Sequence, residues 1–452
     1  MARRKTHIPL NVVLNNRLVG KLEKETSGAI RFQYDPTWLD RRGSFAISLS
    51  LPLKSSAYRG EPVVAVFDNL LPDNERVRRR VAERMGAQGT DSYSLLEQIG
   101  RDCVGALQFL PDDINVDPVS DITGEPISDE EIEHLLANLE NAPLGMDDEH
   151  EFRISVAGAQ EKTALLRYEE RWLRPTGTTP TTHILKPQIG QIPTAFGTID
   201  LSNSVDNEHY CLKLMEAFGL TVAKTEIATF GKRRVLVVER FDRQWLNEGK
   251  RLLRLPQEDC CQALGIPPNQ KYQSSVQGGK NGPSAVDILQ LLKAGDKALQ
   301  NQMEFFKSQI IFWLIGATDG HGKNFSVFLR PGGGFELTPF YDVLSAQPVF
   351  DQKQIPHNKY KLAMSVGDSR KYAILNIRGR HFTETAKEAG LGPTLINQVF
   401  GEILSAAPDA ADRALAQMPK DFAMDIHESV KAAIMGRIRY LQDIENQTDE
   451  PS

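Results

Sequence analysis

The segment D-G-H-G-K-N at 319–324, with a second acid at Asp342, constrains this chain more than any other feature. An Asp and an Asn five positions apart have the spacing of a phosphotransferase catalytic loop. In such a loop the Asp accepts the proton of the attacking hydroxyl, and the Asn binds Mg²⁺. Asn324 and Asp342 carry the hard oxygen ligands that Mg²⁺ prefers. The pattern predicts Asp319 as a catalytic base and Asn324 and Asp342 as metal ligands.

The residues around this loop favour the catalytic interpretation over an ordinary turn, although D-G and K-N-F are also common turn residues. A very apolar predicted helix at 301–317 comes before Asp319, and a predicted strand follows at 325–329. The turn P-G-G-G at 331–334 then leads into a second strand, which should bring Asn324 and Asp342 together. His321 could be purely structural, but D-x-H-x-x-N also resembles the catalytic loop of phosphoinositide kinases.

The composition indicates an ordinary globular chain with no bulk affinity for nucleic acid or membrane. The 452 residues are 40% apolar and 25% charged, and the formal net charge is −6. This length allows two or three domains. The four cysteines form no C-x-x-C pair, and no signal-peptide core or membrane-spanning run is visible. We therefore expect a cytoplasmic protein that makes no membrane contact.

The order of the predicted elements indicates an α+β fold. We interpret residues 1–110 as a small α/β module with a hairpin at 11–22 and a strand at 45–53. Residues 111–150 form an acidic connector with one helix, which Ser128 should cap. Strands dominate residues 151–243, and helices dominate residues 244–452, including predicted helices at 284–296, 393–406 and 422–445.

Three further segments carry candidate nucleotide contacts, each weak when taken alone. The run S-V-A-G-A-Q-E-K-T at 155–163 has small residues that let backbone amides approach phosphates, but it is not a Walker A loop. Lys186 ends the β-prone segment T-H-I-L-K. The phosphate-binding Lys of protein kinases ends a similar strand segment, V-A-I-K. Glu239, Arg240 and Phe241 follow an apolar strand, where kinases present backbone groups to adenine.

Taken together, these segments resemble the HipA family, the serine/threonine-kinase toxins of HipBA-type toxin–antitoxin pairs. The resemblance spans nearly the whole chain. The matching segments are F-D-N-L-L-P-D at 67–73, I-G-R-D-C-V-G-A at 99–106, I-S-V-A-G-A-Q-E-K-T-A-L-L at 154–166, T-T-H-I-L-K at 181–186, V-D-N-E at 205–208, V-E-R-F-D-R at 238–243, L-P-Q-E-D at 255–259, G-A-T-D-G-H-G-K-N-F-S-V at 316–327 and L-T-P-F-Y-D at 337–342.

The resemblance implies a bilobal, protein-kinase-like fold related to phosphoinositide kinases, with a β-rich N-lobe and a mainly helical C-lobe. On this basis residues 151–243 form the ATP-binding part of the core, and Asp319 is the catalytic base. Asn324 and Asp342 bind Mg²⁺, and Ser155 is an autophosphorylation site. The implied ATP contacts are Ala157, Gly158, Ala159, Gln160, Glu161, Lys162, Lys186, Glu239, Arg240, Phe241, His321, Gly322, Lys323, Asn324, Tyr341 and Asp342.

The resemblance also implies partners and a cellular role. The expected protein target is an aminoacyl-tRNA synthetase, typically the glutamyl enzyme, whose phosphorylation would block translation and cause growth arrest and persistence. The expected partner is a HipB-like helix-turn-helix antitoxin dimer on operator DNA, which Arg378, Arg380 and His381 could touch. Two alternatives stay open: a lipid or small-molecule kinase, and a non-catalytic regulatory subunit of a DNA complex.

Overall fold

The computed structural model describes residues 7–112, 122–139, 142–145, 154–158, 160–247, 249–274 and 282–442. The strands are β1 Leu10–Leu14, β2 Arg17–Lys24, β3 Ile30–Tyr34, β4 Tyr58–Arg59, β5 Leu107–Pro111, β6 Gly124–Pro126, β7 Thr163–Tyr168, β8 Arg171–Pro175, β9 His183–Pro187, β10 Gly190–Thr194, β11 Gly197–Leu201, β12 Thr225–Phe230, β13 Arg233–Glu239, β14 Arg243–Leu246, β15 Arg251–Arg254, β16 Gln257–Asp259, β17 Ser326–Leu329, β18 Phe335–Leu337, β19 Lys361–Val366 and β20 Lys371–Ala373.

The α-helices are α1 Pro36–Leu39, α2 Glu61–Phe67, α3 Glu75–Met85, α4 Ser92–Ile99, α5 Asp129–Ala137, α6 Ser204–Ala217, α7 Cys260–Ala263, α8 Ala285–Leu292, α9 Ala298–Ile315, α10 Gln347–Asp351, α11 Gly379–Glu388, α12 Pro393–Leu415 and α13 Met424–Gln442. The chain divides into two compact units. The first comprises residues 1–187, 228–271 and 326–335, and the second comprises residues 188–227, 272–325 and 336–452.

The first unit is built on two antiparallel sheets. One sheet has the strand order β4-β3-β2-β1-β5. The other sheet contains the strand order β13-β9-β7-β8-β6. The predicted hairpin at 11–22 is confirmed as β1 and β2. Its turn residues Asn15 and Asn16 have φ values of 47° and 64°, which asparagine tolerates better than most residues. Val12, Phe32 and Leu165 are fully buried in these sheets.

The strand predicted at 45–53 is wrong, because side chains and not a neighbouring strand satisfy the backbone there. The amide of Ile47 donates to the Tyr34 hydroxyl across 3.0 Å. The amide of Leu49 donates to the Glu258 carboxylate across 2.8 Å. These bonds hold the chain in an irregular path, although its apolar residues alternate as a strand's would.

The helix predicted in the acidic connector is confirmed as α5. Ser128 caps it, and Glu131 returns a hydrogen bond to the amide of Ser128, which completes a capping box. Much of the connector, residues 113–121, 140–141 and 146–150, lies outside the described residues.

The second unit is mainly helical and is organised around α9. This helix is buried on nearly all sides from Phe305 to Ile315, as expected for one that other helices surround. It packs against α6, α8, α12 and α13, and its Phe305, Ile310 and Ile311 are fully buried. The helix predicted at 393–406 continues through Pro408 to Leu415 as α12, and α11 was not predicted. None of the described helices is long and apolar enough to cross a membrane.

Candidate active-site residues

The predicted catalytic loop begins directly after α9. Gly316 ends the helix with φ 71°, a left-handed conformation that residues with a Cβ adopt only at a cost. The amide of Ala317 donates back to the carbonyl of Phe312 across 2.8 Å. This C-cap turns the chain out of the helix, so that Asp319 lies exposed at the surface of the second unit.

Hydrogen bonds within the loop connect Asp319 to Asn324. The amide of His321 donates to the carbonyl of Asp319 across 2.8 Å, and the amide of Asn324 donates to the carbonyl of His321 across 2.9 Å. A Cβ at Gly320 would lie 2.5 Å from ring carbons of Phe312, so no larger residue fits there. Asp319 is exposed, whereas His321 and Asn324 are 5% and 4% exposed.

The structure brings Asn324 and Asp342 together, as the sequence predicted. The side-chain amide of Asn324 donates to the backbone carbonyl of Asp342 across 3.2 Å. Next to it, the Tyr341 hydroxyl donates to the carbonyl of Lys323 across 2.8 Å. Asp342 has φ 59°, an unusual conformation for a residue with a Cβ. Such outliers cluster at functional sites, where the surrounding structure stabilises them.

The donor set of this pair fits a magnesium ion. An amide oxygen and a carboxylate are hard ligands, and Mg²⁺ is usually held by one or two carboxylates with phosphate oxygens and water. Within the described residues, no cluster of three or more His, Cys, Asp or Glu is placed to hold a metal. Phosphate oxygens of a bound nucleotide, together with water, would complete the coordination of a magnesium ion held by Asn324 and Asp342.

A buried asparagine that the sequence did not predict holds the segment after Asp342. Asn207 on α6 donates to the carbonyl of Ser345 across 2.9 Å and accepts from the amide of Ser345 across 2.9 Å. The Ser345 hydroxyl donates to the carbonyl of Ile315, the last residue of α9. Asn207 lies in the motif V-D-N-E, whose function the residues alone did not indicate.

Tyr272 is the second side chain that the sequence did not predict. Its hydroxyl donates to Oδ1 of Asp319 across 2.5 Å. Its ring meets the His321 ring edge-on, with centroids 4.9 Å apart and an interplanar angle of 87°. Tyr272 lies 47 residues before Asp319 and belongs to no recognised pattern, so only the tertiary structure identifies it.

In the first unit, Ser155 is completely buried at the start of the candidate phosphate loop. Its hydroxyl donates to the carbonyl of Leu70 across 2.7 Å, and its amide donates to the carbonyl of Asp102 across 3.0 Å. Both partners belong to the N-terminal module, residues 1–110. These two hydrogen bonds therefore hold Ser155 from outside residues 151–243, which contain it.

The rest of the phosphate loop folds over Lys162. The Lys162 ammonium donates to the carbonyl of Ala157 across 2.9 Å. Gly158 has φ 115°, a conformation that residues with a Cβ rarely adopt, so a substitution there would be strained. Gln160 donates to the carbonyl of Pro187. In addition, Glu161 pairs with Arg80 of α3 across 3.4 Å, and Ala159 lies outside the described residues.

The other candidate nucleotide contacts of this unit lie on β9 and at the end of β13. Lys186 is 6% exposed and sits opposite Leu236 in the antiparallel pair of these strands. Glu239, the last residue of β13, is exposed. The amide of Arg240 then donates to the carbonyl of Thr182 across 2.8 Å.

Arg240 belongs to a buried cluster of five charged side chains, which we call the Asp102 cluster. Its members are Asp102, Arg240, Asp242, Arg243 and Arg254, each at most 5% exposed in its side chain. Asp102 accepts from all three arginines, at 3.2 Å from Arg240, 2.9 Å from Arg243 and 3.1 Å from Arg254. Asp242 accepts from Arg240 across 2.8 Å.

Burial and charge act in opposite directions on the pKa values of this cluster. Burial alone would raise the pKa of Asp102, but the three guanidinium groups hold it well below its usual value. Burial lowers the pKa of Arg243 to about 10. The sequence predicted an ATP contact for Arg240, but its side chain is engaged inside the protein by two carboxylates and the carbonyl of Cys103.

The predicted DNA contacts lie at the start of α11. The Arg378 guanidinium donates to the carbonyls of Leu375 and Ile377 and stacks on the Tyr440 ring at 4.0 Å. His381 is buried, and its Nδ1 accepts from the amide of Arg378. Arg380 is exposed. The DNA contact stays a prediction, and Arg380 is the residue of the three best placed to make it.

Comparison with known proteins gives the family. The HipA-like C-terminal domain matches residues 154–411, and the HipA N-terminal domain matches residues 10–110. The chain belongs to the HipA family of toxin–antitoxin kinases. The "putative kinase Y4mE" of Sinorhizobium fredii is 32% identical over 410 residues, which cover 90% of this chain and 91% of that protein.

Two further similarities concern Shewanella oneidensis. Its serine/threonine-protein kinase toxin HipA is 28% identical over 80% of this HipA-family chain and 79% of its own length. A solved complex of Shewanella oneidensis HipA and HipB with operator DNA contains a chain similar in fold, with a TM-score of 0.79 and 24% identity. That match covers 98% of this chain and all of the other. The expected α+β, kinase-like fold is therefore confirmed.

Proposed function

We propose that this HipA-family kinase transfers the γ-phosphoryl group of ATP to a serine or threonine hydroxyl of a protein, and that it is the toxin of a toxin–antitoxin pair. The observation that carries the proposal is the loop 319–324, in which hydrogen bonds join an exposed Asp319 to the Asn324–Asp342 pair. An accessible carboxylate close in sequence to hard metal ligands is the combination that phosphoryl transfer requires.

In the proposed reaction, the Asp319 carboxylate orients the acceptor hydroxyl and takes its proton as that oxygen attacks the γ-phosphorus, while the bond from the γ-phosphorus to the bridging oxygen breaks and ADP leaves. Asn324 and Asp342 would hold the metal ion, which would neutralise charge on the phosphates. The side-chain amide of Asn324 donates to the backbone carbonyl of Asp342 and so helps to hold Asp342 in its unusual conformation at φ 59°.

The first unit supplies the proposed nucleotide contacts. Lys186 neutralises phosphate charge, and the backbone of the loop 157–162 binds phosphate oxygens. Backbone groups of Glu239 and Phe241 hydrogen-bond the adenine. The Asp102 cluster supports this last role, because its two carboxylates accept three hydrogen bonds from the guanidinium of Arg240, the residue between Glu239 and Phe241.

Autophosphorylation at Ser155 would switch the kinase off. Ser155 has no solvent exposure, and its hydroxyl is within hydrogen-bond distance of an uncharged carbonyl. A phosphate there would bring almost two negative charges into a buried position beside that carbonyl oxygen, which is strongly unfavourable. The modified loop must therefore leave its place, and the backbone groups that bind ATP phosphates leave with it.

We further propose an aminoacyl-tRNA synthetase, such as the glutamyl enzyme, as the target, with translation inhibition, growth arrest and persistence as the result. A HipB-like helix-turn-helix antitoxin dimer would bind this chain and co-repress the operon on operator DNA. The Shewanella oneidensis complex, which contains HipA, HipB and operator DNA, supports this partner. Arg378 and Arg380 are the proposed DNA contacts.

Labelled ATP tests the catalytic assignment. Purified protein with Mg²⁺ and γ-labelled ATP should label itself at Ser155. The substitution Asp319→Ala should lower the rate of this self-labelling at least ~10²-fold. Asp409→Ala is a matched control, because Asp409 is an exposed carboxylate that pairs with Arg413 four residues later. Undiminished labelling by Asp319→Ala would refute the base.

The target and the toxicity need separate experiments. Incubation with purified glutamyl-tRNA synthetase should add one phosphate, which mass spectrometry would locate. Self-labelling without synthetase labelling would exclude this target and leave the kinase assignment intact. Expression of Asp342→Ala without antitoxin should leave growth unaffected, whereas growth arrest by that variant would contradict the metal role.

A further inference from the structure

The contact between Tyr272 and Asp319 has no place in the mechanism above. An exposed aspartate normally samples several side-chain rotamers, because water replaces any single partner. Here the Tyr272 hydroxyl donates to Oδ1 at 2.5 Å. A hydrogen bond to a charged acceptor is stronger than one between neutral groups and is directional. The carboxylate of Asp319 therefore has a defined orientation before any substrate arrives.

The Tyr272 ring is itself held in place. Its edge-on contact with His321 places the phenol against the same loop that carries Asp319. The next residue, Gln273, is buried and accepts from the amide and hydroxyl of Ser365 on β19, at 2.7 Å and 3.1 Å. The carbonyl of Tyr272 accepts from the amide of Gly282. A 40% exposed side chain is thus fixed through its backbone and its ring.

We propose that Tyr272 is a positioning residue for the kinase reaction, and this rests on the proposed role of Asp319 as the base. The Tyr272 hydroxyl fixes the direction of the carboxylate, so that it meets the acceptor hydroxyl in a productive orientation. A carboxylate has two oxygens and about four acceptor sites, so one phenol does not exhaust it. Loss of this orientation slows phosphoryl transfer and leaves ATP binding unchanged.

Two substitutions separate the hydroxyl from the ring. Tyr272→Phe keeps the ring contact with His321 and removes only the donor to Asp319, whereas Tyr272→Ala removes both. Tyr440→Phe is a matched control, because Tyr440 is also 40% exposed and lies on α13. For each full-length variant we would measure the single-turnover rate of self-labelling with Mg²⁺ and γ-labelled ATP, the KM for ATP, and the melting temperature.

The expected result is that Tyr272→Phe lowers the labelling rate roughly tenfold or more, since hydrogen bonds to charged groups are among the stronger ones. Its KM for ATP and its melting temperature should match those of the parent and of Tyr440→Phe. Two results would overturn the proposal: a Tyr272→Phe labelling rate equal to that of the parent, even if Tyr272→Ala is defective, or a Tyr272→Phe labelling rate above that of the parent. A faster variant would mean that the phenol competes with the acceptor hydroxyl.

Asp319→Asn, measured in parallel, distinguishes this proposal from the proposed function. If Asp319→Asn is inactive and Tyr272→Phe is as active as the parent, the positioning role fails and the catalytic base stands. If Asp319→Asn is as active as the parent, the proposed base fails, and the positioning role fails with it.

Discussion

The Ser155 hydroxyl donates a hydrogen bond to the backbone carbonyl of Leu70 at 2.7 Å, with no solvent exposure at Ser155. Leu70 lies in the N-terminal module, within the motif F-D-N-L-L-P-D, and the carbonyl of Asp102 in the same module holds the amide of Ser155. The residue proposed to switch the kinase off is therefore anchored from outside the segment that carries it.

Substitution of Ser155 tests this anchor. Ser155→Asp places a charge where only a neutral hydroxyl fits, so we expect the loop to leave and ATP affinity to fall at least about tenfold. Ser155→Ala loses one hydrogen bond, worth about 1 kcal/mol, and should bind ATP nearly as the parent does. Binding of a fluorescent ATP analogue measures the affinity for ATP, and limited proteolysis measures whether the loop has left its place. Parent-like affinity in Ser155→Asp would contradict the switch.

Asp342 allows charge and backbone conformation to be separated. Asp342→Asn removes the charge, and asparagine tolerates a positive φ, so activity should fall steeply with little change in melting temperature. Asp342→Ala should also lose about 1 kcal/mol of stability, because alanine resists φ 59°. Labelling rates across a Mg²⁺ titration and chemical denaturation measure the two effects. A fully active Asp342→Asn would exclude the carboxylate as a metal ligand.

The Asp102 cluster should stabilise the first unit, and removal of its central acid should be costly. Asp102→Asn leaves three buried arginines with one carboxylate, and breaking a buried pair typically costs about 3–5 kcal/mol. The depressed pKa of Asp102 gives stability that is present above its unfolded pKa and is lost as pH falls through the folded pKa. The variant should therefore lose less stability than the parent on acidification below about pH 4.

Urea denaturation between pH 3 and pH 7 would measure that difference. The control is Asp112→Asn, since Asp112 forms an exposed pair with Lys21 at 2.8 Å and should matter little. Equal acid sensitivity in Asp102→Asn and the parent would show that the cluster does not govern the acid response.

Glu258 should have the opposite pH dependence. Burial raises the pKa of Glu258 to about 8, and its Oε1 accepts from the amide of Leu49. Because the folded state holds this proton more tightly than the unfolded state, the contribution of Glu258 to stability falls as pH rises from about 4.5 to 8. Glu258→Gln keeps the acceptor and has no proton to lose.

We therefore expect Glu258→Gln to be more stable than the parent by about 2 kcal/mol or more at pH 8, and much closer to it at pH 5. Denaturant titrations at the two pH values measure this, with the exposed Glu75→Gln as control. If the stability difference between the parent and Glu258→Gln is the same at pH 5 and pH 8, the raised pKa of Glu258 is contradicted.

Local patterns predicted the elements whose causes are themselves local. The hairpin at 11–22 follows from two asparagines that tolerate positive φ, and α5 follows from its capping box. The apolar alternation at 45–53 predicted a strand that the structure does not contain, because Tyr34 and Glu258 bind its backbone instead. A local sequence pattern does not indicate which side chains from other parts of the chain will bind that backbone.

The residues proposed for chemistry could likewise be predicted from their spacing, because Asp319 and Asn324 share one loop and a short hairpin returns the chain to Asp342. The residues that hold these groups in place could not be predicted from the sequence. Asn207, Tyr272 and Leu70 act through contacts over 138, 47 and 85 residues of chain, and such contacts form only when the chain packs. The sequence by itself determined which groups we propose for phosphoryl transfer, since that proposal depends on residue type and short spacing. The tertiary structure alone decided which residues hold those groups in place, since hydrogen bonds depend on distance in space.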